Sequence, residues 1–390
     1  MKQTVLKLSA LLFFALAGAI LFINSGHAQQ PQQAEKTAGQ ARKNIQVLKD
    51  LPDSQLIPVM QFISGSLGVN CAFCHVRVGE DWAFEKDDKP EKLTARKMML
   101  MQFDINKNNK DILGGGVTCY TCHKGSTEPR GTPQLPLTPP AMGPGAGGPG
   151  GPSGQRPPAE ALPTVDQVLS KYEQAIGGRA AFEKLHSRVM KGVQTVGGTE
   201  IPVEIYQAAP NKVVSILTTP QQGVIMSGYN GTVGWAAGAR GRRQFAGPQL
   251  EQMKRAADFY GDIRLKELYT DLRVVGRSKI GDRDVYVLSS KVSDNRTERL
   301  FFDAQTGLLV RIQAVTQTML ARIPEQTDFE DYRDVDGVKL PFTIRQSFID
   351  PRNDWTRKYT EIKHNVAVED AKFNPPPVTA PAPAPTPTPR

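Results

Sequence analysis

The chain has 390 residues, of which 39% are hydrophobic, and a formal net charge of +9 at pH 7. This length is sufficient for two domains, and a basic surface suits acidic redox partners or anionic membranes. The Lys and Arg residues are spread along the chain without a basic block, which argues against nucleic-acid binding. All four cysteines fall in two short motifs, so no thiol remains for a structural disulfide, a lipid anchor or a nucleophile.

The first 28 residues have the pattern of an export signal. Lys2 and Lys7 form a basic segment, residues 11–22 are apolar, and Gly26-His27-Ala28 is a suitable cleavage site. Residues 1–28 are therefore predicted to be a signal peptide, and the remainder is predicted to be periplasmic or otherwise exported. The alternative is an uncleaved N-terminal membrane anchor, although the apolar run is shorter than the about 20 residues that span a bilayer.

Two pentapeptides of the form Cys-x-x-Cys-His follow, beginning at Cys71 and at Cys119. This is the pattern of covalent haem attachment, in which both thiols form thioethers with the haem and the His ligates the iron. The sequence therefore predicts two covalently bound haem c groups. The predicted attachment and proximal residues are Cys71, Cys74 and His75 for the first haem, and Cys119, Cys122 and His123 for the second. A four-cysteine zinc ribbon or two redox disulfides are the alternatives, but neither requires a His after each pair.

A haem that only transfers electrons needs a second axial ligand, which Met or His supplies. His75 and His123 are the only histidines between residues 43 and 125, so Met is the favoured ligand for both irons. Met60 lies on the apolar face of a helix predicted over residues 55–63. On a second helix, predicted over residues 91–103, Met98 and Met101 share a face, and their spacing does not choose between them.

Three segments of this region carry a family resemblance: Leu67-Gly68-Val69, Ala95-Arg96-Lys97-Met98 and Gly116-Val117-Thr118-Cys119-Tyr120-Thr121-Cys122-His123-Lys124-Gly125. They make residues 43–125 resemble the tetrahaem cytochrome subunit of bacterial photosynthetic reaction centres. In that family a helix before each motif donates a Met to the same haem. The resemblance therefore implies Met60 with His75 on the first iron and Met98 with His123 on the second. The family has four haem motifs where this chain has two.

Residues 126–163 are dense in Pro and Gly, including the run at 147–152. Because such a composition cannot bury a core, the segment is predicted to be a linker. It is expected to separate a dihaem cytochrome c domain at 43–125 from a second, independently folding domain at 164–375. Residues 376–390 are predicted to be a Pro-rich disordered tail.

Residues 164–375 combine a helix at 164–188, broken at Gly177-Gly178, with many alternating apolar segments and a further helix near 248–259. Asn230-Gly231 and Asp336-Gly337 predict turns between strands. The pattern indicates an antiparallel sheet or open barrel with helices against one face. His186 and His364 are isolated in the sequence and are interpreted as core or surface residues.

Further segments of this domain, among them Phe302-Asp303-Ala304-Gln305-Thr306-Gly307 and Gly337-Val338-Lys339-Leu340-Pro341-Phe342, carry a second resemblance. The domain resembles the periplasmic lipoprotein-carrier and outer-membrane lipoprotein-sorting superfamily, a half-barrel with a helical lid over an apolar cavity. The resemblance implies a lipid or lipoprotein partner. The predicted fold class is therefore multidomain, with a small mostly-α multihaem cytochrome c domain and an α+β antiparallel half-barrel domain with a helical lid.

Together these features predict an exported dihaem cytochrome that transfers single electrons and is fused to a lipid- or partner-binding β-domain. The predicted partners are redox proteins of the envelope, such as a reaction-centre or respiratory complex. No enzymatic activity is expected, because two axial ligands leave no open position on either iron, whereas a dihaem peroxidase needs one. Two alternatives stay open: the electron-donor subunit of a photosynthetic reaction centre, and a lipid-binding or lipoprotein-binding envelope protein with a haem redox sensor.

Overall fold

The computed structural model describes residues 35–129, 161–239, 241–269 and 271–377. The predicted signal peptide, most of the predicted linker and nearly all of the predicted tail lie outside these residues. Among the described residues, no helix has the length and apolar character needed to cross a membrane.

The N-terminal part of the described chain is mainly helical. Its elements are α1 (Ala38–Ala41), α2 (Asp53–Leu67), α3 (Cys71–Cys74), a ribbon of β1 (Val76–Val78) and β2 (Asp81–Ala83), α4 (Pro90–Asn108), α5 (Lys110–Leu113) and α6 (Cys119–His123). Both long helices extend beyond their predicted bounds. Pro90 is suited to the first turn of α4, where a missing N–H costs no hydrogen bond. Gly68 ends α2 in the left-handed conformation.

Helices also precede and interrupt the strands of the C-terminal part. They are α7 (Val165–Ala175), α8 (Arg179–Phe182), α9 (Gly247–Ala257) and α10 (Leu265–Leu268), with short 3-10 turns at Gly261–Ile263, Pro351–Asn353 and Asp370–Phe373. Thr164 caps α7: its Oγ1 accepts a hydrogen bond from the Gln167 N–H, and the Gln167 side chain accepts one from the Thr164 N–H. The break predicted at Gly177-Gly178 is present, since both glycines have positive φ.

Thirteen strands of the described chain form one antiparallel sheet. They are β3 (Ser187–Val196), β4 (Thr199–Ala208), β5 (Lys212–Thr219), β6 (Gly223–Asn230), β7 (Gly234–Gly238), β8 (Gly241–Gln244), β9 (Arg273–Ile280), β10 (Arg283–Ser293), β11 (Arg296–Asp303), β12 (Leu309–Gln317), β13 (Arg322–Val335), β14 (Val338–Phe348) and β15 (Trp355–His364). The runs β3 to β8 and β9 to β15 are each sequential meanders, and the pairing of β15 with β3 joins them.

The main core lies between this open sheet and the helical elements on one of its faces. Val168, Tyr172 and Ile176 of α7 and Phe182 of α8 are buried there against strand residues such as Leu300. The segment 259–269 contributes further buried side chains to the same cluster. A helix-covered open antiparallel sheet next to a small helical part confirms the predicted fold class.

A second buried cluster includes residues of both the helical part and the sheet domain. Val59 and Phe62 of α2 and Met99 of α4 pack with Leu320 and Ala321, in the loop between β12 and β13. The Gln102 amide donates hydrogen bonds to the Leu320 carbonyl at 2.8 Å and to the Val117 carbonyl at 3.0 Å. The loop at the tip of this hairpin is therefore part of the core of the helical part.

Glycine permits a further close approach between the two parts. A Cβ atom on Gly65 of α2 would lie 2.7 Å from the carbonyl oxygen of Ile349, closer than side chains tolerate. Nearby, the Arg352 guanidinium donates a hydrogen bond to the Val69 carbonyl. Both contacts are made to residues just before the first Cys-x-x-Cys-His motif, Gly65 and Val69.

Candidate functional site

The first motif forms a single helical turn. The Asn70 side chain caps α3 by accepting a hydrogen bond from the Ala72 N–H at 3.0 Å, and the His75 N–H donates to the Cys71 carbonyl. One turn of helix therefore brings both thiols and the imidazole together. The His75 ring lies edge-on to Phe84, with ring centroids 5.1 Å apart. Burial, followed by the charge of Lys92, lowers the pKa of His75, so the neutral imidazole needed for metal ligation is favoured.

The second motif repeats this local structure in α6. The Thr118 N–H donates to the Thr121 hydroxyl at 3.0 Å at the start of the helix, and Lys124 ends it with a φ of 49°. Nδ1 of His123 lies 2.9 Å from the Ser126 carbonyl oxygen. A carbonyl acceptor assigns the proton to Nδ1, which leaves Nε2 of His123 as the basic nitrogen available to a metal.

The predicted Met residues lie on α2 and α4, on surfaces that differ in burial. Met60 is half-buried beside the shared cluster, which also contacts Cys119 of the second motif. On α4, Met99 is buried, whereas Met98 and Met101 are exposed by 41% and 51% of their surface. Because Met99 belongs to the core, the exposed face of α4 carries both of the Met residues that the helical period predicts to share a face.

Both motif helices pack against the Met-bearing helices. α3 lies against α4, and α6 lies against α2. In addition, Asn106 of α4 exchanges two hydrogen bonds with the Val117 backbone, at 2.7 and 2.9 Å, just before α6. The two motifs and the two Met-bearing helices therefore form one packed group.

A charged cluster supports the first motif. Asp87 accepts hydrogen bonds from Lys92 at 2.8 Å and from Arg96 and Asn44 at 2.9 Å. These donors, led by Arg96, hold the pKa of the Asp87 carboxyl far below its usual range. Lys92 also donates to the backbone carbonyl of Phe84, the residue that contacts His75. The cluster thereby fixes the loop that carries this aromatic neighbour.

The donor set and its surroundings fit covalently bound haem. Each motif supplies two thiols and an imidazole on one helical turn, and Nδ1 of His123 already has the backbone acceptor typical of a metal-ligating His. Between residues 71 and 123, which include both motifs, many large apolar side chains are exposed, which suits contact with a porphyrin face. They include Phe73, Phe84, Leu93, Met98, Leu100, Met101, Ile112 and Tyr120.

The zinc and disulfide alternatives fit the same residues less well. No disulfide joins the four cysteines, and the described residues contain no group of three or more His, Cys, Asp or Glu side chains arranged to hold a metal ion. Burial raises the pKa of the Cys74 and Cys119 thiols. A redox-active dithiol instead needs a thiol with a lowered pKa.

The sheet domain contains a cavity of about 380 Å³ between strands of the sheet and the helices α7, α9 and α10. Apolar side chains dominate the lining, and they include Met190, Leu309, Ile312, Phe329, Ile344 and Ile362. Its volume lies within the range of about 300–1,000 Å³ that is usual for small-ligand pockets. The cavity therefore has the size and character of a site for an apolar molecule.

The two histidines of the sheet domain lie in different surroundings. The His364 side chain is only 1% exposed and lies 3.1 Å from Asp336, while its Nε2 lies 3.2 Å from Nε of Arg188. β15 pairs with β3 so that His364 stands directly opposite Arg188. No local pattern signals this contact, because the two residues are far apart along the chain. His186 is exposed, as a surface role would require.

Comparisons with known proteins support the first resemblance. Residues 23–137 match the family model of the photosynthetic reaction centre cytochrome C subunit. The chain is 34% identical over 110 residues to the reaction-centre cytochrome c subunit of Roseobacter denitrificans, which covers 25% of this chain and 28% of that protein. It is 36% identical over 85 residues to cytochrome c-554 of Chloroflexus aurantiacus, covering 20% of each. The chain thus spans about a quarter of the length of these relatives, and its N-terminal region resembles c-type cytochromes.

Solved structures similar to this chain align with about half of it. A LolA superfamily protein from Nitrosomonas europaea covers 55% of this chain and 99% of its own, with 12% identity and a TM-score of 0.39. A DUF1329 family protein from Desulfovibrio piger covers 54% and 97%, with 12% identity and a TM-score of 0.37. The strand pairing and the core between sheet and helices define the fold of this domain.

Proposed function

We propose that this protein is an exported dihaem c-type cytochrome that transfers single electrons between redox partners of the cell envelope. Cys71 and Cys74 would hold the first haem and Cys119 and Cys122 the second. His75 with Met60, and His123 with Met98, would be the axial ligands. When bound, each haem supplies a one-electron couple between ferric and ferrous iron.

The observation that best supports this proposal is the local geometry of the second motif. Two thiols and a His share one helical turn, and the Ser126 carbonyl orients the His123 imidazole so that Nε2 is its basic nitrogen. Exposed Met98 and Met101 lie on α4, which hydrogen bonds to the backbone preceding this motif. A thioether sulfur is the soft neutral ligand that raises the potential of a His-ligated haem.

The intact mass of the mature chain tests the number of haems. After expression with haem-maturation machinery, the mass should exceed that of the polypeptide by two haems. Cys119→Ala with Cys122→Ala should lower the excess to one haem, and Cys71→Ala with Cys74→Ala should do the same. A parent protein that carries one haem or none would contradict the proposal.

Carbon monoxide binding separates electron transfer from peroxidase-type catalysis. Two protein ligands on each iron leave no open position, so the reduced protein should bind little carbon monoxide. Stoichiometric binding to one haem would favour a dihaem enzyme instead.

A more specific version of the electron-transfer proposal is electron donation to a photosynthetic reaction centre. Rapid oxidation of the cytochrome by illuminated reaction centres would support it.

We also propose that the sheet domain binds an apolar ligand in its cavity, because the cavity has an apolar lining and a suitable volume. Titration calorimetry with dodecanol tests this binding in the full-length haem-loaded chain. Ile312→Trp should fill part of the cavity and weaken binding at least tenfold. Equal heats for the parent and the variant, with both folded, would contradict a ligand in this cavity.

A further inference from the structure

The cavity of the sheet domain contains an arginine whose hydrogen bonds are incomplete. Arg188 of β3 lines the cavity and is only 5% exposed. Its Nε donates to His364 at 3.2 Å and its Nη1 donates to Gln207 at 3.3 Å. Nη2 is buried and has no hydrogen-bond partner among the described residues. Burying an N–H of a charged group costs free energy unless the N–H has a hydrogen-bond acceptor. An acceptor placed next to Nη2 would therefore be stabilised.

The hydrogen-bond partners of Arg188 are neutral. Because its Nε–H donates to Nε2 of His364, the proton of this imidazole is on Nδ1, which lies 3.1 Å from Asp336. Burial lowers the pKa of His364, and the charge of Arg188 acts in the same direction, so the neutral ring is favoured. The other partner, Gln207, is an amide. The guanidinium, which stays charged at any physiological pH, therefore donates no hydrogen bond to a carboxylate of the described residues.

Two of the four other charged residues in the cavity lining are already paired. Arg255 donates to Glu298, and Asp258 accepts from Arg264. Lys339 lies at the exposed edge of the lining. Asp262 faces the cavity, but no hydrogen bond among the described residues joins it to Arg188. Burial raises the pKa of Asp262, although the charge of Arg188 opposes this, and the carboxyl leaves Nη2 of Arg188 without an acceptor.

We propose that the cavity binds a single-chain amphiphile with an anionic oxygen head group, which accepts a hydrogen bond from Nη2 of Arg188. The chain of the ligand would lie among Met190, Leu309, Ile312 and Phe329. A cation and an apolar wall in one cavity match the two ends of such a molecule. The volume of about 380 Å³ suits one chain better than two. This inference rests on the proposed ligand-binding role of the cavity.

Three probes with the same chain and different head groups test the inference: dodecanoate, dodecyl phosphate and dodecanol. In titrations of the full-length haem-loaded protein, the anionic probes should bind about tenfold or more tightly than dodecanol. The ratio between dodecanoate and dodecyl phosphate shows which head group the site prefers. Arg188→Gln should remove the preference for anions while dodecanol still binds. Arg345→Gln, at an exposed position on β14, is the matched control and should keep the preference.

Asp262→Asn is an independent test of the same inference if Arg188→Gln does not fold. Removing the competing carboxyl should strengthen dodecanoate binding several-fold and leave dodecanol binding unchanged. Equal affinities for dodecanoate and dodecanol in the parent would overturn the anionic head group but leave the cavity as an apolar site. The absence of binding for all three probes would overturn the ligand-binding role itself. Neither result would bear on the haem count, which intact mass measures separately.

Discussion

The three methionines of α4 are close in sequence but differ in burial. Met99 contributes to the cluster that joins the two parts of the protein, whereas Met98 and Met101 point away from it. A core Met stabilises by packing, while an exposed Met is available as a ligand. The proposed ligand role of a Met on this helix therefore depends on the side of the helix that carries its thioether.

Met98→Ala is expected to remove one thioether ligand. The far-red absorption band of the oxidised His/Met protein should fall by about half, one haem should drop in potential, and that iron should bind carbon monoxide. Potentiometry and optical spectra measure these changes. Met101→Ala is the matched control on the same face and should change little. If only Met101→Ala weakens the band, the ligand lies one turn further along α4.

Asp350→Asn should weaken the contact next to the first motif. Asp350 is 6% exposed and accepts two hydrogen bonds of 2.7 Å from Arg352, which hold its pKa below the usual value. The pair therefore stabilises the fold above the unfolded pKa of about 3.9 and loses this effect as the pH falls through the folded pKa. At pH 7 we expect a loss of about 1 kcal/mol in urea unfolding, since Arg352 is partly solvated.

The control for this variant is another Asp-Arg pair with the same spacing. Asp331 also bonds the Arg two residues later, Arg333, but both side chains are exposed. Asp331→Asn should leave the free energy of unfolding almost unchanged. The deficit of Asp350→Asn should also shrink below about pH 4, where the parent carboxyl takes up a proton. A deficit that stays constant down to pH 3 would show that the charge is not the cause.

At the scale of elements, the loop between β12 and β13 has an unusual role. Hairpin tips normally lie in solvent, but residues 318–321 pack into the helical part, where Thr318 Oγ1 accepts from the Leu320 and Ala321 N–H groups. These internal hydrogen bonds satisfy backbone groups that would otherwise be buried without partners. The loop can therefore present Leu320 to α2 and α4 as a core residue.

Leu320→Ala should destabilise the protein strongly. Leu320 is 2% exposed, and truncating a buried Leu costs about 2–5 kcal/mol through lost burial and the remaining cavity. Chemical denaturation, followed by the haem absorption band, measures the loss. The adjacent Met319 is 44% exposed, so Met319→Ala should cost less than about 0.5 kcal/mol. If both variants lost a similar free energy of unfolding, Leu320 would not be buried in the helical part.

At the scale of the whole molecule, the helical part and the sheet domain are held together by more than their covalent connection. The shared cluster, the Gln102 hydrogen bond to Leu320 and the Arg352 hydrogen bond to Val69 all join them. The predicted independence of the two folding units stays a prediction. These contacts nevertheless imply that a change in one part, such as ligand binding in the sheet domain, can reach the other.

Cleavage of the Pro/Gly-rich segment should therefore not separate the two parts. A protease site introduced within residues 130–160 should give two fragments on a denaturing gel that still elute together in size-exclusion chromatography. Leu320→Asp combined with Gln102→Ala removes the central contacts and should release a red N-terminal fragment from a colourless C-terminal one. Separation of the cleaved parent protein would show that the interface is too weak to matter.

Much of the local structure could be predicted from the sequence because it depends on near neighbours. Cysteines three residues apart with an adjacent His place all three groups on one helical turn, whatever surrounds them. Asp336-Gly337 predicts its turn for the same reason, and both residues have the positive φ that such a turn requires. The spacing of Met98 and Met101 correctly predicted a shared face, and the structure does not choose between them either.

Contacts between distant segments could not be predicted in this way. Arg188 meets His364 only because β15 pairs with β3 in one particular register, and Leu320 enters the helical core only because the sheet brings its hairpin there. The sequence by itself determined the haem motifs, the helices that carry the Met residues and the antiparallel character of the second domain, since all of these follow from short-range periodicity and turn chemistry. Only the tertiary structure decided the cavity with its incompletely bonded arginine and the joining of the two parts, because burial and charge compensation depend on which distant residues become neighbours.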